Sequence, residues 1–244
     1  MIIDNVVILG RAVPEEISGG RKTVCVAGYS EKQGFVRLYP TRPDSPLQQW
    51  NMVTVEVERN PQDTRTESWK FPNSKEGWDA INRHIKNVGI LPEDDRLPLL
   101  DRIKSECVRL LNEQHISLGV IRPVGVKPYL DRNEKHHEAY QPLFEFVDDS
   151  TLPTKRDCHL EPRIKYACEP ECKGHDQQLL DWGCYVYMQK HPDEPQNIWR
   201  NLALNEPGWT HYFLVGNQVR HRTGYMVINV LRKKATMFTP SLFG

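Results

Sequence analysis

Residues 52–58, MVTVEVE, place Val53, Val55 and Val57 on one side of an extended chain and Glu56 and Glu58 on the other. Alternation with a period of two marks a strand with one buried face. The fold is therefore expected to contain a sheet packed on one side. Working outward, IIDNVVIL at 2–9, KTVCVAGY at 22–29 and FVRLYP at 35–40 are β-rich stretches, punctuated by Gly19-Gly20 and by the turn from Ser30 to Gly34. The first quarter of the chain thus reads as consecutive strands.

The period then changes. Residues 75–88, KEGWDAINRHIKNV, set Trp78, Ile81, Ile85 and Val88 at helical spacing, with Gly89 as the stop, and residues 98–113 repeat that spacing through Leu99, Leu100, Ile103, Cys107, Leu110 and Leu111. SLGVIRP at 117–123 returns to a strand pattern. Beyond residue 124 the order restarts: strands are expected at 129–130, 143–147 and 159–167, helices at 176–190 and 196–204, and a closing hairpin of HYFLV (211–215) with GYMVINVL (224–231). Strands, helical material and strands again, in each half, is the order of an OB-type barrel. The expected fold class is α+β: two small OB-like β-barrels with inserted helices, residues 1–124 and 125–244, the second carrying a zinc-knuckle-like loop. An open α+β sheet is the plain alternative.

Composition narrows the function classes. Lys and Arg number 32, as do Asp and Glu, so whole-chain charge offers no attraction to nucleic acid or to an anionic membrane, and any such binding must come from local patches. No run of about 18 apolar residues is present to cross a bilayer, and MIIDNVVILG lacks a basic segment followed by an apolar one, so a cytoplasmic chain is expected. Four of the six cysteines fall between Cys158 and Cys184. In a reducing compartment that clustering favours metal ligation over disulfides.

The knuckle is Cys168-x3-Cys172-x2-His175, three good ligands for a tetrahedral ion with Pro170 and Gly174 between them to turn the chain. Thiolate and imidazole favour zinc in a structural role, and a structural zinc usually takes four such ligands. Cys184 is a poor fourth, because nine residues at about 100° each put it opposite His175 on a regular helix. Cys158 is the preferred fourth, since ten residues of strand would aim it the same way as Cys168. His159, His211 and His221 are further options. The plain reading is that these are buried cysteines and a helix-capping histidine.

Several strings resemble a known family: GFVRLYP, DTRTESW, SLGVIRP, CEPECKGHDQQLLDW and HYFLVGN look like the dual OB-fold-containing family of prokaryotic proteins. That resemblance would cover nearly the whole chain. It implies an architecture of paired barrels and a link to bacterial conflict or defence loci, and it implies no reaction.

Because OB barrels bind single strands by stacking bases on aromatics and following the backbone with cations, interleaved basic and aromatic residues are the candidate contacts. These are Arg37 between Phe35 and Tyr39, Arg65 before Trp69, and Arg220 with Arg222 at the tip before Tyr225. The plain reading makes Tyr39 and Trp69 core aromatics and pairs Arg37 with a strand glutamate. The expected role is recognition of nucleic acid or a nucleotide-like ligand, as an accessory subunit of a defence or repair system with a protein partner from the same locus. A protein-interaction scaffold is the alternative. A metal-dependent nuclease using His175, Asp176 and Asp181 is a second one, weakened because six helical residues leave His175 and Asp181 about 120° apart.

Overall fold

In the computed structural model, residues 1–17, 20–74, 77–136, 152–169 and 171–234 are described. Eight strands come first: β1 (Ile2–Arg11), β2 (Glu15–Glu16), β3 (Lys22–Ser30), β4 (Gly34–Thr41), β5 (Asn51–Glu56), β6 (Glu58–Arg59), β7 (Ser68–Lys70) and β8 (Ile85–Ile90). They form one sheet in the order β6-β7-β4-β3-β1-β5-β8, with β2 added on β3. Every pair is antiparallel except β4 with β7. Register shifts in β1, between Ile3 and Val6 against β5 and between Ile8 and Gly10 against β3, curl the sheet.

The alternation in 52–58 lands as expected, with Val53, Val55 and Val57 fully buried. They close an apolar core with Ile3, Val6, Ile8, Val26, Leu38 and Phe71. Val7 and Leu9, on the opposite face of β1, belong to a second and larger core shared with the rest of the chain. A strand covered on both faces reads as a continuous apolar run, and VVIL at 6–9 is that run.

The remainder comprises α1 (Glu93–Ile103), β9 (Lys104–Ser105), α2 (Val108–Glu113), β10 (Leu118–Ile121), β11 (Val124–Arg132), β12 (Leu160–Ala167), β13 (His175–Gln178), α3 (Trp182–Lys190), α4 (Asn197–Asn201), β14 (Trp209–Gln218) and β15 (His221–Lys234). One sheet runs β15-β14-β10-β9 and another β11-β12-β13. The architecture is mostly β with a few helices, in keeping with α+β. β10 lies on the N-terminal side of residue 124 but is hydrogen-bonded along its length to β14. No helix among the described residues is long and apolar enough to cross a membrane.

Three expected helices differ. Residues 78–84 make a 3-10 helix and the chain then extends into β8 against β5, so Trp78, Ile81 and Ile85 are buried while Val88 is exposed. The 98–113 helix is two, α1 and α2, parted by the extended β9. Residues 175–178 are a strand because β12 offers them a ladder, from Tyr166↔His175 to Arg163↔Gln178, and the helix starts only at Trp182. The strand expected at 143–147 lies outside the described residues.

The two halves are stitched by a polar seam. The guanidinium of Arg37, on β4, donates to Ser117 O at 2.9 Å and Ser117 Oγ at 3.3 Å, and approaches Cys25 Sγ at 3.5 Å. Glu67 accepts from Ser117 N at 2.7 Å and from Ser117 Oγ at 3.1 Å. Arg65 pairs with Asp63 at 2.5 Å and donates to Asn217 O at 2.5 Å. Gly216 makes room for this: a Cβ there would stand 3.2 Å from Arg37 Nη2 and 2.7 Å from Ile228 Cδ1.

Candidate metal centre

Four side chains from three elements converge beneath the β11-β12-β13 sheet. Cys168 follows β12, Cys172 lies in the turn, His175 opens β13, and Cys107 is the residue before α2. Their ligand atoms all lie within 4.8 Å of one another, so together they could hold a metal ion. Cys172 Sγ is 3.3 Å from His175 Nε2, and Cys107 Sγ is 3.7 Å from that nitrogen and 3.9 Å from Cys172 Sγ. Cys107 is extended at φ −152° and its sulfur accepts from the Arg109 amide at 3.5 Å, which ends the preceding extended segment and starts α2. Gly174, at φ +90°, turns the knuckle, and its amide points at Cys172 Sγ at 3.4 Å.

The electrostatics divide the thiols: Cys172 is favoured as thiolate and Cys168 is not. Burial works against the Cys172 thiolate, but hydrogen bonds from the Cys168 and Gly174 amides and from the Cys107 thiol outweigh it and bring that thiol below its ordinary range. Burial pushes the Cys168 thiol up, against the Val108 amide that favours its thiolate. His175 is lowered by burial, hence neutral and free to donate a lone pair. Tyr166, 5.3 Å away ring to ring, covers it, and its hydroxyl donates to Gln177 Oε1 at 2.8 Å.

Of the expected ligands the structure brings Cys168, Cys172 and His175 together and leaves Cys158 out. The fourth position is a correction: it falls to Cys107. Cys158 Sγ faces Tyr185 O at 3.9 Å in an apolar setting, where burial pushes its thiol to about 11. Ten residues of regular strand do not join Cys158 to Cys168, because β12 ends at Ala167 and begins at Leu160. The other options are engaged elsewhere: His159 packs against His136 with ring centroids 3.7 Å apart and planes tilted by 46°, and His211 Nε2 lies 3.2 Å from Leu202 O. His221 is exposed at the tip of the β14–β15 hairpin. Cys107 was hidden by its own surroundings, since it fits the helical spacing of Leu100, Ile103 and Leu110. The available signal was a tetrahedral site one ligand short and two cysteines, Cys25 and Cys107, without a role.

The carboxylates are not part of this cluster. Asp176 follows His175 on a strand and so faces the other side, where it accepts from Tyr129 Oη at 2.8 Å and pairs with Arg163 at 3.1 Å. Asp181 accepts from Asn229 Nδ2 at 2.7 Å.

The candidate nucleic-acid contacts separate into two groups. Arg37 is 3% exposed and Trp69 4% exposed, with the Arg59 guanidinium 3.7 Å above the Trp69 ring. Arg65 is buried in the seam. Tyr39 is half-buried, and burial raises its phenol to about 12. Arg220 and Arg222 are exposed, and Arg222 donates to Thr64 Oγ1 at 2.6 Å.

Residues 3–99 match the model of a family described as a domain of unknown function (DUF8758). Residues 102–243 match that of a family described as a domain of unknown function (DUF8757). Among curated proteins none matches. A solved structure described as a murine DNA binding protein bound with ds DNA is similar over 97% of this chain and 96% of that one, at 10% identity and a TM-score of 0.32, a likeness too slight to carry an argument.

Proposed function

We propose that this chain, which belongs to the DUF8757 family through residues 102–243, is a zinc-stabilised module that recognises nucleic acid or a nucleotide-like ligand. The observation that carries the reading is the convergence of three sulfurs and an imidazole, with no carboxylate among them. A tetrahedral zinc with bonds of about 2.3 Å to sulfur and 2.0–2.1 Å to nitrogen has edges of roughly 3.8 Å and 3.6 Å. The separations among Cys107, Cys172 and His175, 3.9, 3.7 and 3.3 Å, are close to those edges, and Cys168 Sγ lies within 4.8 Å of all three. Four protein ligands fill such an ion and leave no open position for water, so it acts as a cross-link and the function rests on surfaces.

The surface that supports recognition is the hairpin tip. Arg220, His221 and Arg222 are exposed there, and among the described residues neither arginine is in an ion pair. The reading of each half as an OB-like barrel is supported by the curled N-terminal sheet and by the strand, helix, strand order of the second half. A place as accessory subunit of a prokaryotic defence or repair system follows from the family resemblance and from it alone. An interaction scaffold is the second reading, favoured by β8, an edge strand that exposes Val88 and Ile90.

Elemental analysis of protein purified without chelator or histidine tag is expected to find about one zinc per chain, and less than half an equivalent would remove the metal. Labelled single-stranded DNA and RNA are expected to bind at low salt and weaken steeply with added salt. Arg220→Ala and Arg222→Ala should each reduce the salt slope by about one. No binding at micromolar protein in low salt would remove the recognition role.

A further inference from the structure

Three of the six cysteines are gathered at one junction, where the turn between β12 and β13 meets the start of α2. The other three lie apart from it: Cys25 beside the Arg37 guanidinium, Cys158 against Tyr185 O, and Cys184 on α3. None of the six is in a disulfide.

Within the junction the sulfurs are not equivalent. Cys107 and Cys168 are 2% and 8% exposed, whereas Cys172 is half-buried and its neighbours Glu171, Lys173 and Gly174 are exposed. A small solute therefore reaches Cys172 first. Cys107 Sγ stands behind it at 3.9 Å. A disulfide needs about 2.05 Å, so the pair must close by roughly 2 Å. Cys172 lies outside β12 and β13, so that approach breaks no ladder hydrogen bond. The two residues are 65 apart in sequence, and a bond between them closes a long loop, which constrains the unfolded chain far more than the short loop from Cys168 to Cys172 would.

We propose that Cys172 and Cys107 form a peroxide-sensing pair, in which oxidation joins them as a disulfide, expels the zinc and leaves a covalent tie at the junction the ion held. The inference rests on the metal reading and adds a means of regulating that site. In the first step the Cys172 thiolate attacks one oxygen of the peroxide; an S–O bond forms, the O–O bond breaks and hydroxide leaves. In the second the Cys107 thiolate attacks that sulfur; the S–S bond forms, the S–O bond breaks and a second hydroxide leaves. Two protons from solvent convert the hydroxides to water. Each sulfur loses one electron and the peroxide gains both. Cys168 and His175 remain, and two protein ligands are half the set that a structural zinc takes. Ion and disulfide join the same two elements, so the oxidised protein keeps the link that a chelator removes.

The test treats the zinc-loaded full chain with hydrogen peroxide and reads zinc release, disulfide-linked peptides and hydrogen exchange together. One zinc is expected to leave for each disulfide formed, the linked peptides are expected to contain Cys107 and Cys172, and a dithiol reductant with added zinc is expected to restore the metal. Protection across 160–178 should persist in the oxidised protein and disappear in the chelated, reduced one. A Cys168–Cys172 link as the main product, zinc loss with Cys172 carried on to sulfinic acid, or zinc fully retained in a large excess of peroxide overturns the pair. Replacing Cys25, Cys158 and Cys184 together by Ala is expected to leave the release rate unchanged, and abolished release would move the reacting sulfur elsewhere. Peptide mapping of the wild-type chain decides the same point should that variant fail to fold. A chain isolated without zinc would overturn the metal reading and the release step with it, whereas zinc present but retained under peroxide would overturn this inference alone, so the two failures are distinguishable.

Discussion

The N-terminal sheet and the β11-β12-β13 region hold their strands by different means. In the first, Val53, Val55, Val57, Val26 and Leu38 are close to fully buried on one face, and the apolar contacts need no polar help. In the second, β12 and the short β13 carry Arg163, Lys165 and Asp176 on their outer face, and the turn between them reaches the start of α2 through sulfur and imidazole. A sheet apolar on both faces orders itself by burying area, whereas this one buries Ile164 and Tyr166 on a single face and leaves more for a cross-link to supply.

The largest effect tests that contrast directly. Cys172→Ser, or chelation of the wild-type protein, is expected to release the metal and cost more than about 4 kcal/mol. Hydrogen exchange should then lose protection across 160–178 while the amides of β5 and β3 keep theirs. Equal loss in both regions would break the comparison, because the N-terminal sheet would then depend on the cluster too.

A smaller effect is expected at the seam that joins the regions. Arg37→Met leaves Ser117 O without its buried charged donor and should cost about 3 kcal/mol. The calorimetric transition is expected to split into two, one for each half. Affinity for single strands, measured on the folded fraction, should not change, and a loss of affinity at full stability would return Arg37 to the binding surface.

The smallest effect sharpens the choice of ligand. Cys158→Ala removes a thiol from an apolar pocket beside Tyr185 and is expected to cost about 1 kcal/mol with the zinc content unchanged. Cys107→Ala, the same chemical change, is expected to abolish metal binding. Reversal of those two outcomes would reassign the fourth position.

Much of the fold was legible because alternation is a local signal: β1, β3, β4, β5 and the β14–β15 hairpin lie where their apolar periods put them. The helices were less so. Trp78, Ile81 and Ile85 have the spacing of one helix, yet β5 recruits the second part of that segment as β8, and pairing with a waiting edge outweighs a weak propensity. The arginines show the same limit from the other side. Interleaving with aromatics marks Arg37 and Arg65 equally for a ligand or for a buried seam, and only the approach of Ser117 and Asn217 decides between them.

By itself the sequence determined the strand-rich character of the chain and three quarters of the Cys/His cluster, because period and short spacing act over a few residues. Tertiary structure alone decided that Cys107 completes the cluster, that Arg37 is internal, and that Asp181 meets Asn229. The physical reason is distance along the chain: each of these joins residues far apart in sequence, and such contacts exist only once the sheets have chosen their neighbours.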